Sequence, residues 1–456
     1  MDADEQADRG DHQQLAAVDV AAHDALSCES GSRGAAVAND QSKLPLCSES
    51  KATSVSLGMV ACNLTRPGRS TPESNPARRF TNLGSVLRRT RSHGLAICSS
   101  DLGHCESRIA TPPALRHYYV TGSTLRIMEH NKRWAREGAG RPLFQFVYLM
   151  LPTPCNQRCR GCFMGQDKKR LPPHLSGPYF CDRELADIFT FAREHGADAV
   201  VYGGGGELFT WKGAFDLIEM AGAFGLKVVV FTNGTLLSRE DVHRLNNLGA
   251  VLIISLRDTV EARHNWAVGC NGFVKTLAAI DAALAERFHD DNRLAVEIPV
   301  TRENEIRVLD DFLPAMRSLG IVPMVEEYIQ TCTSYAERRL CHNFWQSRKF
   351  FEDAARRDAS LGYSWAPEFG QRIVGQPQCM RPLYSFAVFP SGDVMDCPSH
   401  SMCYGNMRST PLPTIVDGDT FKRAVLSFKL CACSVFYTKR DAAIPDRLPE
   451  YLEVLV

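Results

Sequence analysis

The stretch FQFVYLMLPTPCNQRCRGC, from Phe144 to Cys162, decides the fold. Its first eight residues, Phe144 to Leu151, are almost wholly apolar and rich in aromatic and branched side chains, the composition of a buried strand. Pro152 and Pro154 have no amide hydrogen to give to a ladder, so the strand ends there and three cysteines fall on the loop at its C-terminal end. That edge is where open α/β sheets and barrels carry their sites. A loop can turn neighbouring side chains onto one point, whereas a straight strand sends successive side chains to opposite faces. Thiolates spaced C-x3-C-x2-C hold iron or zinc, and three of them leave one position of a four-ligand site unfilled. Spacing alone leaves two readings: a metal centre with an open position, or a structural zinc completed by a distant Cys or His.

Working outward, strands and helices alternate from Arg141 onward. Residues 199–202, 227–232, 251–256, 294–300 and 322–328 read as further strands. Helices are expected over 183–195, with Asp182 as N-cap, and over 214–224, 239–248, 272–288 and 306–319. Alternation of this kind means a parallel sheet with right-handed crossovers, an α/β fold. Four successive glycines, Gly203 to Gly206, follow the second strand and precede Glu207. Such a run lets backbone approach a ligand closely and aim its amides there. Taken alone it is a flexible turn more often than a cofactor site. Asn233 ends the third strand and Ser255 lies in the fourth; each is a ligand contact or a residue bonded to nearby backbone.

The segment Cys155 to Phe163, with the glycine run one strand and one helix later, resembles the signature of radical SAM enzymes. The resemblance implies a partial (β/α)6 TIM-like barrel. It also implies that Cys155, Cys159 and Cys162 hold a [4Fe-4S] cluster whose fourth iron takes S-adenosylmethionine (SAM), yielding a 5'-deoxyadenosyl radical that abstracts hydrogen. Gly205, Gly206 and Glu207 correspond to the family's GGE motif and would cradle the methionine end of SAM, with Leu208 where the family usually has Pro. Asn233 and Ser255 match polar positions that reach its ribose or carboxylate, Arg257 would neutralise the carboxylate or pair in solvent near Asp258, and Phe163 would pack near the adenine. An electron donor such as flavodoxin or ferredoxin is the implied partner.

Five of the chain's 17 cysteines, Cys379, Cys397, Cys403, Cys431 and Cys433, crowd into one C-terminal segment, more than packing chance explains. Pro390-Ser-Gly-Asp393 between two apolar stretches reads as a hairpin turn. This arrangement resembles the SPASM or twitch extension of the same enzymes, which implies an auxiliary Fe-S cluster. Cys379, Cys397, Cys431 and Cys433 are the preferred ligands and Cys403 the substitute; zinc is the alternative metal. Cys181, Cys270, Cys332 and Cys341 read as small buried hydrophobes.

Formal net charge is zero and 44% of the residues are hydrophobic, so no polyanion-seeking surface is implied and nucleic acid is not expected. No apolar run nears the ~20 residues of a membrane helix. The acidic N-terminus lacks the apolar core of a signal peptide, so a cytoplasmic protein is expected. Residues 1–115 lack sustained periodicity and read as disordered, with Met128 a possible true initiator. The expected organisation is a core barrel at 141–330, a helical linker at 331–374 and an auxiliary-cluster domain at 375–456. Glu297, Glu326 and Glu327 at strand ends would touch SAM or a polar substrate, or be solvated. A small-molecule substrate is favoured because no folded N-terminal peptide-binding domain is seen. A peptide-modifying enzyme is the alternative, and a zinc-stabilised, non-catalytic binding protein is the reading from another class.

Overall fold

The computed structural model describes residues 108–109, 121–162, 177–328, 339–367, 371–376, 379–398 and 402–428. Its strands, numbered along the chain, begin with β1 (Arg108–Ile109), β2 (Phe146–Leu151), β3 (Ala199–Gly204) and β4 (Lys227–Thr232). They continue with β5 (Val251–Ser255), β6 (Leu294–Val300), β7 (Val322–Glu327), β8 (Tyr363–Ser364), β9 (Ser385–Val388), β10 (Asp393–Met395) and β11 (Cys403–Asn406). Nine of them form one sheet in the order β11-β10-β9-β2-β3-β4-β5-β6-β7. From β2 to β7 every pairing is parallel, as the alternation of strands and helices requires. Every residue of β2 and of β6 is buried, which explains why these strands read as continuous apolar runs: helices cover the outer face and side chains fill the inner one.

The helices fall between the strands, at Asp182–Glu194, Ala214–Ala223, Arg239–Asn247, Glu261–Val268 and Phe273–Ala285. The helix expected over 306–319 is broken instead. A π turn at Val308–Phe312 separates Glu305–Arg307 from Leu313–Ser318. Pro314 supplies the reason, since it has no amide hydrogen for the bond that would continue the preceding turn.

Three features go beyond the sequence reading. A helix at Gly122–Glu137 precedes the first core strand, and its buried Asn131 clamps three backbone groups: it donates to Leu143 O (2.7 Å) and Leu383 O (2.9 Å) and accepts from Leu143 N (2.8 Å). Thr124 and Leu125 of its first turns are buried, so a chain begun at Met128 would lose part of a packed element. Within the span read as disordered, β1 pairs with β8. The expected hairpin is present as β9 and β10, but it continues the main sheet because β9 pairs in parallel with β2.

The sheet is strongly curved. Six strands laid flat at about 4.8 Å spacing would separate β2 from β7 by ~24 Å. Yet Tyr328, at the exit of β7, lies against Gly161 in the loop that leaves β2. Residues after 370 line the gap between the two ends: Val374 N donates to Val325 O (2.9 Å), and Glu327 N donates to Arg372 O (2.7 Å). The result is a partial barrel. Among the described residues no single helix is long and apolar enough to cross a membrane.

Candidate functional site

The register Phe146↔Ala199 through Leu151↔Gly204 makes β2 and β3 end level, so the cysteine loop and the glycine loop emerge side by side. Their backbones touch. A Cβ added at Gly206 would lie 2.1 Å from Thr153 O and 2.3 Å from Pro154 O, and one at Gly205 would lie 2.5 Å from Leu151 O. No side chain fits there, which is the physical reason for glycine at both positions. Glu207 N then donates to Pro154 O (2.9 Å), and the Thr210 hydroxyl donates to the same carbonyl (3.0 Å).

The Glu207 side chain is buried and turned toward β4. One carboxylate oxygen accepts from the Thr232 hydroxyl and the other from Asn233 N, both at 2.7 Å. The carboxylate therefore ties the glycine loop to the turn after β4. Asn233 continues the tie: its Nδ2 donates to Asn156 Oδ1 (2.9 Å), while Asn156 Nδ2 donates to Thr235 Oγ1 (2.7 Å). Asn156 belongs to the cysteine loop, and sequence reasoning passed over it although it stands next to Cys155.

Cys155, Cys159 and Cys162 are half-buried. Two of the thiols engage Gln157: Cys155 Sγ accepts from its amide N and Cys159 Sγ donates to its Oε1, each at 3.4 Å. Among the described residues no three His, Cys, Asp or Glu side chains converge as ligands of one ion. The loop itself is fixed by helix Glu261–Val268, whose carbonyls Val268 O and Ala267 O accept from Arg158 N (3.0 Å) and Arg160 N (2.8 Å). Gly161 has φ +67°, and a Cβ there would sit 1.5 Å from the Tyr328 hydroxyl oxygen. Tyr328 is thus a neighbour of the loop that the sequence did not reveal. Cys270, read with Cys181 and Cys341 as a small buried hydrophobe, is only half-buried, as is Cys341, and Cys181 is exposed; burial and then Cys155 push the Cys270 thiol up in pKa.

Behind the loop stands Arg257. Burial alone would lower its pKa, but the negative charge available on Glu297, Cys159 and Cys162 outweighs this and raises it. A fixed cation therefore faces two of the three thiols. His264 Nδ1 accepts from Arg257 N (3.2 Å). Burial and the Arg257 charge bring the His264 pKa down to about 4, so the ring is neutral near pH 7 and its hydrogen is on Nε2.

On the inner wall the Ser255 hydroxyl donates to Glu297, its register partner. Glu326 lies 3.9 Å from Arg381. Burial, aided by Glu297 and opposed by Arg381 and Arg372, pushes the Glu326 carboxyl up to about 7. These groups from β5, β6 and β7 make a polar lining at the C-terminal ends of the strands.

The second cysteine group is placed in part. Cys397 is buried at the exit of β10, Cys379 is half-buried between β7 and β9, and Cys403 is exposed at the start of β11. Phe163, Cys431 and Cys433 lie outside the described residues. The fit of an iron–sulfur cluster with SAM rests on the donor set and its surroundings. Three soft donors share one short loop, a cation backs them, and a glycine backbone free of side chains lies alongside.

Residues 152–319 match the family model described as the Radical SAM superfamily. A protein of Archaeoglobus fulgidus described as uncharacterized is 25% identical over 135 residues, which is 30% of this chain and 31% of that protein, about a third of its length. Among solved structures, SuiB of Streptococcus suis bound to S-adenosylmethionine aligns with a TM-score of 0.48 at 14% identity, covering 66% of this chain and 72% of SuiB. Native anSMEcpe with bound AdoMet and a Cp18Cys peptide aligns with a TM-score of 0.46 at 14% identity, covering 62% of this chain and 84% of its own. The segment that matches the radical SAM superfamily model contains the cysteine loop, the glycine loop and strands β3 to β6.

Proposed function

We propose that this protein cleaves SAM reductively and takes a hydrogen atom from a polar small molecule, with oxidation or rearrangement as the outcome. The observation that carries the reading is the backbone contact between the cysteine loop and the Gly205–Gly206 turn at the level ends of β2 and β3. Cys155, Cys159 and Cys162 would hold the [4Fe-4S] cluster; when bound, that cluster and SAM supply the 5'-deoxyadenosyl radical.

The chain's own residues do the placing. Gly205 and Gly206 give the methionine end of SAM an approach to bare backbone, and Glu207 holds Thr232 and Asn233 so that the loop keeps its shape. Arg257 offers a cation to a carboxylate, and Ser255, paired to Glu297, presents a hydroxyl on the inner wall. The lining of Glu297, Glu326 and Arg381 suits a substrate with several hydrogen-bonding groups and keeps it oriented where water is scarce. Cys379 and Cys397, with Cys431 and Cys433, are proposed to bind one auxiliary Fe-S cluster, and residues 375–456 to form the unit that holds it.

Protein purified without oxygen should contain iron and sulfide and release 5'-deoxyadenosine when SAM and a reductant are added. The triple substitution Cys155→Ala, Cys159→Ala, Cys162→Ala should abolish both. A colourless protein carrying zinc at these thiols would refute the proposal. Mass spectrometry after incubation with candidate substrates, small polar molecules and peptides in separate arms, identifies which class loses hydrogen.

A further inference from the structure

Two polar side chains beside the cysteine loop are buried with a hydrogen to give and no acceptor among the described residues. Gln157 is 3% exposed and its Nε2 has no partner; His264 is 0% exposed and its Nε2, the nitrogen that carries the ring hydrogen, has none either. Both face one small space next to Gly272. A Cβ added at Gly272 would lie 3.0 Å from Gln157 Nε2 and 3.6 Å from His264 Nε2. Thr235 turns its methyl to the same point at 3.5 Å, because its hydroxyl donates to Asn233 Oδ1 and accepts from Asn156 Nδ2. That wall therefore offers no acceptor. Gly272 has φ −96°, a value open to residues other than glycine, so what glycine contributes here is room.

The far side of the Gln157 amide explains the mismatch. Cys159 Sγ, carrying its proton, donates to Gln157 Oε1 (3.4 Å), which commits the amide nitrogen to the Gly272 side. A thiol that ligates iron has given its proton to solvent, and the resulting thiolate repels a carboxamide oxygen. A half-turn of the amide about its last bond exchanges oxygen and nitrogen. Nε2 then faces the Cys159 sulfur, Oε1 faces the His264 Nε2 hydrogen across the space next to Gly272, and both donors have acceptors. We infer that Gln157 is a positioning residue for the cluster, donating an N–H to the Cys159 sulfur, and that His264 sets this orientation by donating to Gln157 Oε1. This rests on the proposed function, in which Cys159 is a cluster ligand. His264 is itself held on two sides: its Nδ1 accepts from Arg257 N (3.2 Å), and Phe273 packs edge-on against the ring with centroids 5.4 Å apart. The ring is neutral, so its effect reaches the sulfur through hydrogen bonds and not through charge.

The test is a redox titration of the full chain, purified without oxygen, with SAM left out. Electron paramagnetic resonance follows the reduced-cluster signal that the triple cysteine substitution removes. A hydrogen bond to a ligand sulfur favours the reduced cluster. Gln157→Met keeps the side-chain length without a donor and should lower the ratio of reduced to oxidised cluster at a fixed potential about tenfold, ~59 mV for one electron. His264→Phe, similar in shape and equally uncharged, should lower that ratio about threefold or more, and His264→Gln, which returns a donor near the Nε2 position, should recover most of it. Gly272→Ala removes no hydrogen-bonding group but fills the space in which the amide turns; it should also lower the ratio, and it decides the matter where the other variants lose iron. Equal ratios in wild type and variants overturn the inference and leave two buried donors that bond only to water. A shift in Gln157→Met that His264→Phe does not share overturns the part given to His264. Unaltered protein that holds no iron refutes the proposed function instead, and this inference falls with it.

Discussion

Replacing Glu207 by alanine should lower the unfolding free energy by roughly 3–5 kcal/mol. The side chain is 2% exposed and accepts two hydrogen bonds at 2.7 Å, from the Thr232 hydroxyl and the Asn233 amide. A bond to a charged acceptor contributes about 1.5–3 kcal/mol, and a buried donor left without an acceptor costs about 1–3 kcal/mol. The Thr232 hydroxyl can rotate to another acceptor; the Asn233 amide is fixed by the backbone, so the loss concentrates there. Glu207→Gln keeps one acceptor for that amide and should cost only about 1–2 kcal/mol. At roughly 2 °C per kcal/mol for a domain of this size, alanine lowers Tm by about 6–10 °C and glutamine by about 2–4 °C. Circular dichroism melts of the metal-free protein read both values without dependence on activity. An alanine variant within ~1 kcal/mol of wild type, or a glutamine variant as damaged as alanine, would show that the carboxylate is not the tie between the two loops.

Other outcomes follow from single contacts. Asp358 is fully buried, pairs with Arg317 through two bonds of 2.7 and 3.0 Å and accepts from the Trp365 indole at 2.9 Å. Asp358→Ala leaves Arg317 a buried, unpaired charge and should cost about 3–5 kcal/mol in a urea titration. Burial, partly offset by Arg239, raises the Asp281 carboxyl from its ordinary 3.8 to about 6. A raised carboxyl pKa means the folded state binds that proton more tightly, so its stabilising effect is full below pH ~4 and lost as pH rises through 6. Asp281→Asn should therefore stabilise by on the order of 1–2 kcal/mol at pH 7.5, with the gain shrinking toward pH 4.5. A gain independent of pH would mean that the carboxyl does not titrate in the folded state. Cys397→Ala should leave SAM cleavage intact while substrate turnover is lost; unchanged product formation would remove the auxiliary cluster from the mechanism.

Local patterns in the chain carried the element types and the grouping of the loops. The apolar run before Pro152 could only be a buried strand, the glycine run after Tyr202 excluded side chains, and Pro390 to Asp393 made a hairpin. The helix at Gly122–Glu137 was missed in the sequence, although Thr121 and Thr124 at its start and Gly138 at its end signal it. What stayed hidden depends on contacts between residues distant in sequence. That Glu207 faces Thr232 and Asn233 requires β3 and β4 to pair side by side, and that Tyr328 fills the space over Gly161 requires the sheet to curl until β7 approaches β2. Periodicity reports which face of a strand is apolar and says nothing of which distant strand that face meets. The C-terminal hairpin likewise continues the core sheet because β9 pairs in parallel with the edge of β2, a pairing between residues more than 200 positions apart that no local pattern reports.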